Sequence, residues 1–155
     1  MQRETAGDGA ERPAGVVDSP QSWVADHIKE YVESDGAQGH EWKPGVPSLL
    51  LTVKGRKSGV LRRTALIYRR VGANYVIVAS KGGNEKHPQW YLNLLANPDA
   101  EIQVAAEKMH VHAHAAEGDE YARLWDAMAE VWPDYNVYKT RTDRQIPVIV
   151  LEPAG

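Results

Sequence analysis

The sequence contains no cysteine and no phenylalanine, and none of its apolar runs is long. Without cysteine the chain has no disulfide framework, thiolate nucleophile, zinc-thiolate site or iron-sulfur cluster. No apolar run approaches the roughly 20 residues that a membrane-spanning helix needs. The polar N-terminal stretch also lacks the apolar core of a signal peptide. These absences predict a cytoplasmic protein without an integral membrane segment.

The charge balance is close to ordinary, with 18 Lys and Arg against 21 Asp and Glu in 155 residues. This balance excludes a wholly basic nucleic-acid binder. Residues 1–18 mix glycine, alanine, proline and charge without periodicity, which predicts a disordered tail. The remaining length suits one domain over residues 19–155, because a chain of this size buries enough surface to form a real core.

Hydrophobic periodicity predicts an N-terminal helix over residues 20–35 and two later helices over 88–97 and 119–132. Residues 36–47, rich in glycine and proline, are predicted to be a connecting loop. The helices are inserted late and do not alternate strictly with strands. This order indicates a mostly antiparallel α+β sheet or small barrel and not a Rossmann fold. About six strands are predicted, at residues 48–54, 60–71, 75–80, 100–104, 108–115 and 146–153.

A basic hairpin covers residues 54–70, which hold seven Lys and Arg and no acidic residue. Crowded like charges raise the folding free energy unless an anion relieves them, so this hairpin is a candidate anion site. Arg56, Lys57 and Arg62 cluster at one turn, whereas Arg69 and Arg70 at the far end are typical of a solvated strand face. Because the chain has a net charge of -3, the rest of it carries -10 and would repel a nucleic acid extending beyond the hairpin. A small, multiply charged ligand fits better.

A second candidate loop follows the strand at 75–80. Ser80, Lys81, Gly82 and Gly83 stand at the strand end, where two glycines permit close backbone approach and consecutive amides form an anion-binding nest. The alternative is a long turn whose glycines only relieve a steric conflict.

Three histidines, His110, His112 and His114, alternate along one predicted strand and share one face, a spacing that suits metal chelation. No carboxylate accompanies them on the same strand. The sequence therefore predicts a half-exposed strand face and no metal site.

Four longer motifs stand in order along the chain. They are GRKSG at 55–59 followed by Arg62, VIVASKGG at 76–83, HPQWYLNLLANP at 87–98 and WPDYNVYKTRTDRQIPVIVLEP at 132–153. Together they resemble the actinobacterial deazaflavin-dependent nitroreductase family, and the resemblance extends over about residues 31–153. It implies a split β-barrel with flanking helices that binds coenzyme F420, a deazaflavin with a phosphate and an oligoglutamate tail, in its reduced form F420H2.

The same resemblance implies roles for particular residues. Arg56, Lys57 and Arg62 would pair with the phosphate and the tail, for which the guanidinium group is well suited. The amides of residues 80–83, that is Ser80, Lys81, Gly82 and Gly83, would cradle the ring. Trp90 and Asn93 would border the cofactor groove.

The implied activity is hydride transfer from the reduced deazaflavin to an electron-poor hydrophobic acceptor, which requires no protein nucleophile. Negative charge that builds on the acceptor is stabilised by a nearby hydroxyl group. Ser80, Tyr135 and Tyr138 are the candidates, since the two tyrosines are three residues apart and share one face of a short helix.

The expected substrate pocket departs from the nitroimidazole-activating pattern, because Ile67 and Trp132 stand where those members carry tyrosines. With Tyr135 and Tyr138, these residues suit flat hydrophobic Michael acceptors such as coumarin-type lactones or quinones. Reduction of nitro compounds is less favoured.

Two other functions stay open at this point: a non-catalytic deazaflavin carrier or small-polyanion-binding module, and a split barrel that binds FMN. The N-terminal helix is interpreted as a lid or packing helix, with a homodimer contact as a second role. A peripheral membrane contact is disfavoured, because the surrounding sequence is acidic and anionic lipid repels it.

Overall fold

The computed structural model describes residues 16–154. Within this range the chain forms nine strands and four α-helices, with one 3₁₀ turn at Lys81–Gly83. The strands are β1 Val16–Asp18, β2 Glu41–Lys43, β3 Val46–Lys54, β4 Leu61–Ile67, β5 Arg69–Val71, β6 Asn74–Val78, β7 Asp99–Val104, β8 Glu107–Ala115 and β9 Val148–Pro153. The helices are α1 Ser22–Glu33, α2 Gln89–Ala96, α3 Gly118–Val131 and α4 Asp134–Tyr138.

The strands form one sheet in the order β1-β4-β3-β7-β8-β9-β6-β5, and β2 pairs with β3 outside this path. Every pair is antiparallel except β1 with β4. Only Tyr68 separates β4 from β5, so one stretch of chain pairs with β3 near one end of the path and with β6 at the other. The sheet therefore curls into a split barrel, which confirms the predicted α+β class.

The regular elements follow the predicted pattern closely. All six predicted strands form, although the run at 60–71 is interrupted at Tyr68 and becomes β4 and β5. The predicted helix at 20–35 is α1, and the predicted short tyrosine-bearing helix is α4. The segment 36–47 was predicted to be a loop, but residues 41–43 form β2.

The predicted tail is wrong for its last three residues, because Val16–Asp18 pair in parallel with Leu61–Arg63. The Asp18 carboxylate accepts hydrogen bonds from Arg63 Nε at 2.6 Å and Nη2 at 3.2 Å. A bond between side chains 45 residues apart leaves no local periodic signal in the sequence. The first 15 residues of the predicted tail lie outside the described range.

Three apolar clusters position the helices. The barrel interior is filled by residues such as Leu49, Leu51, Ile77, Ile102 and Leu151. Helix α3 covers the outer face of β6 and β9 through Trp125 and Met128. Helix α1 packs Ile28 and Tyr31 on the outer face of the barrel at Leu50.

Tyr31 fixes α1 in place. Its hydroxyl lies 3.0 Å from the Ser48 carbonyl and 3.2 Å from the Gln103 carbonyl, and it accepts a hydrogen bond from the amide of Ala105 at 2.7 Å. Burial raises the pKa of Tyr31 to about 12, so the phenol stays protonated. One side chain thereby ties α1 to both β3 and the β7–β8 turn.

The histidine face pairs with acidic residues from neighbouring elements. His112 lies 2.9 Å from Asp99, and His114 lies 3.1 Å from Glu120 and 3.2 Å from Glu152. Over residues 16–154 no group of three or more His, Asp or Glu side chains is arranged so that it could hold a metal ion. None of the helices in the same range is long and apolar enough to cross a membrane.

We expect Asp18→Asn to lower the free energy of unfolding by about 3 kcal/mol, because it leaves the nearly buried Arg63 guanidinium without its charge partner. Urea denaturation measures the change. Glu130→Gln is the matched control, since it breaks the exposed pair with Arg69 and costs under about 1 kcal/mol. Equal losses for the two variants would contradict an anchoring role for β1.

Candidate active site

A cavity of about 690 Å³ lies along β4. Its walls come from β1, α1, β2, α2, α4 and the loop at 80–82. The lining includes Asp18, Trp23, His27, Trp42, Ser48, Arg62, Arg63, Ile67, Ser80, Lys81, Gly82, Gln89, Trp90, Asn93, Trp132, Tyr135 and Tyr138.

The cavity extends along β4, from Arg62 to Ile67. Five residues at about 3.3 Å each separate these positions by about 17 Å. Arg62 lies beside the β3–β4 turn, whereas Ile67 pairs with Ser48, close to β2. We refer to the two regions as the cationic end, at Arg56, Arg62 and Asn93, and the aromatic end, at Ile67, Trp42 and Trp132.

At the cationic end the β3–β4 turn is attached to helix α2. The Asn93 Oδ1 atom accepts hydrogen bonds from the Arg56 amide at 3.1 Å and from Arg56 Nη1 at 2.7 Å. Arg56 Nη2 also donates to Gln89 Oε1 at 2.9 Å. Both partners are neutral amides, so the Arg56 charge keeps no carboxylate partner within residues 16–154.

The ion pairs divide the basic hairpin into two groups. Arg63 pairs with Asp18, and Arg69 pairs with Glu130 at 2.7 Å. Across the described range, no carboxylate lies within salt-bridge distance of Arg56, Lys57 or Arg62. The three cations predicted to bind an anion are therefore among the five hairpin cations that have no ion pair within residues 16–154; the other two are Lys54 and Arg70.

The loop at 80–83 turns sharply between β6 and α2, and it packs against α4. Lys81, Gly82 and Gly83 have φ values of 47°, 62° and 83°, and the left-handed region favours glycine. A Cβ on Gly83 would lie 2.5 Å from the Tyr138 carbonyl oxygen, so glycine is needed there for close contact with α4. A Cβ on Gly82 would meet nothing within 4 Å.

Arg144 holds this loop from behind. Its guanidinium donates to the carbonyls of Ala79, Ser80 and Asn84 at 3.3, 2.8 and 2.8 Å. It also lies 3.1 Å from His87 Nδ1, and burial together with this cation lowers the pKa of His87. A neutral His87 therefore serves as an acceptor for Arg144.

Two tyrosines of α4 face the cavity, as the three-residue spacing predicted. Their ring centroids are 6.1 Å apart. The Tyr138 hydroxyl accepts a hydrogen bond from Trp132 Nε1 at 3.2 Å, whereas the nearly buried Tyr135 hydroxyl has no hydrogen-bond partner among residues 16–154. Burial raises the pKa of Tyr135, so its hydroxyl is protonated and able to donate.

The cavity brings together most of the predicted site residues. Arg62, Ser80, Lys81, Gly82, Trp90, Asn93, Ile67, Trp132, Tyr135 and Tyr138 all line it. Three predicted residues do not. Arg56 contacts Asn93 and Gln89 at the rim, Lys57 is exposed on the turn, and Gly83 is buried against α4.

Sequence reasoning missed three residues that line the cavity and one that holds the loop at 80–83. Trp42 belongs to a segment that was predicted to be a loop, although Pro44 and Gly45 between it and β3 are a turn signal. Trp23 and His27 line the cavity from α1. Arg144 belongs to the last of the four motifs, but its contacts depend on chain segments about 60 residues away.

We expect Gly83→Ala to destabilise the fold by about 3 kcal/mol, because the new methyl group would collide with the backbone of α4. Gly82→Ala has a similar positive φ without a collision and should cost only about 1 kcal/mol. Thermal unfolding measures both variants, and the difference between their losses of stability gives the cost of the collision with α4. A Gly83 variant as stable as the Gly82 variant would show that the loop does not depend on this contact.

Comparison with known proteins agrees with this geometry. The family model described as F420H(2)-dependent quinone reductase matches residues 23–153. An F420H(2)-dependent quinone reductase of Mycobacterium tuberculosis is 44% identical over 128 residues, which cover 81% of this chain and 86% of that protein.

Two solved structures are similar along most of the chain. One is described as an F420-H2 dependent reductase, with a TM-score of 0.65 and 40% identity over 68% of this chain and 94% of its own. The other, described as a domain-swapped dimer, has a TM-score of 0.68 and 36% identity over 86% of this chain and 100% of its own. The chain therefore belongs to the F420H(2)-dependent quinone reductase family and is an F420-dependent oxidoreductase.

Proposed function

We propose that this protein uses F420H2 to reduce flat, hydrophobic, electron-poor acceptors, with quinones and coumarin-type lactones as the main classes. The observation that carries the proposal is the polarity of a single cavity, which has cations without carboxylate partners at one end and an aromatic wall at the other. The first end suits an anionic tail and the second suits a planar apolar acceptor.

The residues present fit the cofactor. Asn93 is 96% buried, its Oδ1 accepts two hydrogen bonds from Arg56, and its Nδ2 has no partner among the described residues. An unpaired buried donor costs about 1–3 kcal/mol unless a ligand accepts from it. Asn93 lines the cavity, so an oxygen of the bound cofactor would satisfy this donor.

The cations and the loop at 80–83 would contact different parts of the cofactor. Arg62, Arg56 and Lys57 would hold the phosphate and the oligoglutamate tail, since charge-assisted hydrogen bonds are strong there. The amides at 80–83 would approach the ring closely, because Gly82 has open space where a Cβ would stand. Trp90 would close the groove beside Asn93.

When bound, the reduced deazaflavin supplies a hydride, and the acceptor takes up one further proton to complete its two-electron reduction. The protein's part is to hold the acceptor, exclude water and stabilise the developing negative charge. Tyr135 is the foremost donor, because its protonated hydroxyl lines the cavity without a partner in residues 16–154. Ser80 and Tyr138 are neighbouring hydroxyls on the same cavity wall.

Ile67 and Trp132 give the acceptor end an apolar wall that lacks a tyrosine hydroxyl at either position. Such a wall favours quinones and lactones over nitro compounds, whose oxygens need additional hydrogen-bond donors. A homodimer is supported by the similarity to the structure described as a domain-swapped dimer. A cytoplasmic location stays a prediction.

The first experiment concerns the cofactor. We expect Arg62→Ala to weaken F420 binding about tenfold, because it removes a cation from the tail site. The effect should shrink with fewer glutamates on the tail and with higher salt. Arg70→Ala is the control, since Arg70 lies over the Tyr75 ring at 5.5 Å, away from the cavity. Calorimetric titration measures both.

The same titration with FMN tests the FMN-binding alternative. FMN has a phosphate but no oligoglutamate tail, so we expect it to bind more weakly than F420 and to lose less affinity than F420 in the Arg62 variant. FMN binding as tight as F420 binding, or an equal loss in the Arg70 variant, would contradict the assignment of the cationic end.

The second experiment concerns the chemistry. We expect acceptor-dependent oxidation of F420H2 with a naphthoquinone and a furanocoumarin, and Tyr135→Phe to lower kcat about tenfold or more through loss of a hydrogen bond to developing charge. Tyr121→Phe is the control, because that phenol donates to the Ile146 carbonyl outside the cavity. F420 affinity should stay unchanged in both. Cofactor binding without oxidation by any acceptor would favour the carrier alternative.

A further inference from the structure

Trp42 occupies an unusual position for a large apolar side chain. It lies on β2, a three-residue strand that pairs only with β3 and stands outside the main path of the sheet. Its neighbours Glu41 and Lys43 are exposed, whereas Trp42 is half-buried and lines the cavity. Trp42 belongs to none of the three apolar clusters, so its partial burial comes from neighbours at the cavity such as Trp132.

Trp42 contacts Trp132, the residue that directly follows α3. The two indole centroids are 5.2 Å apart and their planes are tilted by 54°. Trp132 is oriented by the hydrogen bond from its Nε1 to the Tyr138 hydroxyl at 3.2 Å. The tilted pair thus forms a wedge of two aromatic faces, and one of these faces is fixed to the wall that carries the tyrosines.

Lys43 joins the two rings. Its ammonium nitrogen lies 4.9 Å from the Trp42 ring and 5.4 Å from the Trp132 ring. Over residues 16–154 it has no carboxylate within salt-bridge distance. A cation placed between two indoles attracts the negative face of each and holds β2 against α3.

We propose that Trp42 determines acceptor specificity by selecting fused bicyclic acceptors over single-ring ones, and that Lys43 is the residue that positions it. A single ring stacks on one indole, whereas a fused second ring extends over the wedge and contacts both. Aromatic contacts of this kind are directional and add to simple burial. The inference deepens the proposed function and rests on it for the role of the aromatic end.

The test uses a matched pair of fully methylated quinones that differ by one fused ring, 2,3-dimethyl-1,4-naphthoquinone and tetramethyl-1,4-benzoquinone. Calorimetry measures their binding to the full chain, with and without saturating oxidised F420, so no turnover is needed. We expect Trp42→Ala to weaken naphthoquinone binding about five- to tenfold and benzoquinone binding less than twofold. Trp42→Phe should retain most of the preference.

Lys43 acts through the indole rings of Trp42 and Trp132, so the naphthoquinone affinity of its variants should depend on whether the cation is kept. We expect Lys43→Gln to weaken naphthoquinone binding about threefold and Lys43→Arg to restore it, because the guanidinium keeps the cation-π contacts. Lys108→Gln, which removes an exposed charge on β8, is the control and should change nothing. Unfolding temperatures of all variants identify any loss of folded protein.

The inference is overturned if wild-type protein does not prefer the naphthoquinone, or if Trp42→Ala weakens both quinones equally. It is also overturned if Lys43→Gln and Lys43→Arg behave alike. The proposed function fails in a different way, through the absence of F420H2 oxidation by quinones that the wild-type protein binds. The two failures are therefore distinguishable in one set of samples.

Discussion

One stretch of chain, residues 61–71, pairs with β3 near one end of the sheet and with β6 at the other, and the rest of the structure depends on this constraint. Hydrogen bonds to β3 and β6 cannot both form on a flat sheet, so the strands curl and the barrel closes across Tyr68. The same stretch pairs with β1 and forms the floor of the cavity. The closure of the barrel and the position of the site thus have a common origin.

The strand geometry of this stretch also separates its charged side chains. Alternate side chains of a strand point to opposite faces. Arg62 is exposed at the cavity, while the adjacent Arg63, which also lines the cavity, is nearly buried and paired with Asp18. Neighbouring arginines in the sequence therefore serve different purposes, one structural and one available to a ligand. Charge crowding predicted that the hairpin is a candidate anion site, but only the structure shows which of its cations lack an ion pair within residues 16–154.

The sequence predicted what depends on local pattern. Strands, helices and the glycine loop are visible because hydrophobic periodicity, β-branched runs and consecutive glycines act over a few residues. The four motifs added the cofactor and most of the wall residues, and the cavity brings together Ser80, Asn93, Trp132, Tyr135 and others as predicted. The comparisons confirm the F420-dependent family.

The features that escaped prediction depend on contacts between distant segments. Strand β1 is held by a bond between Asp18 and Arg63, and β2 was hidden in a segment whose glycines and prolines suggested a loop. Arg144 stands in the fourth motif but received no role, because the carbonyls that it contacts are about 60 residues earlier in the chain. A short stretch of sequence around such a residue contains no pattern that distinguishes it from its neighbours.

The two ends of the cavity are built from different kinds of chain segment. The cationic end comes from the β3–β4 turn and α2, which are joined by the Arg56 and Asn93 bonds. Much of the aromatic end comes from segments outside the main path of the sheet, namely β2 and the junction of α3 with α4. Because the Arg56 and Asn93 bonds involve neither segment, sequence changes at the proposed acceptor end can accumulate separately from the proposed cofactor end.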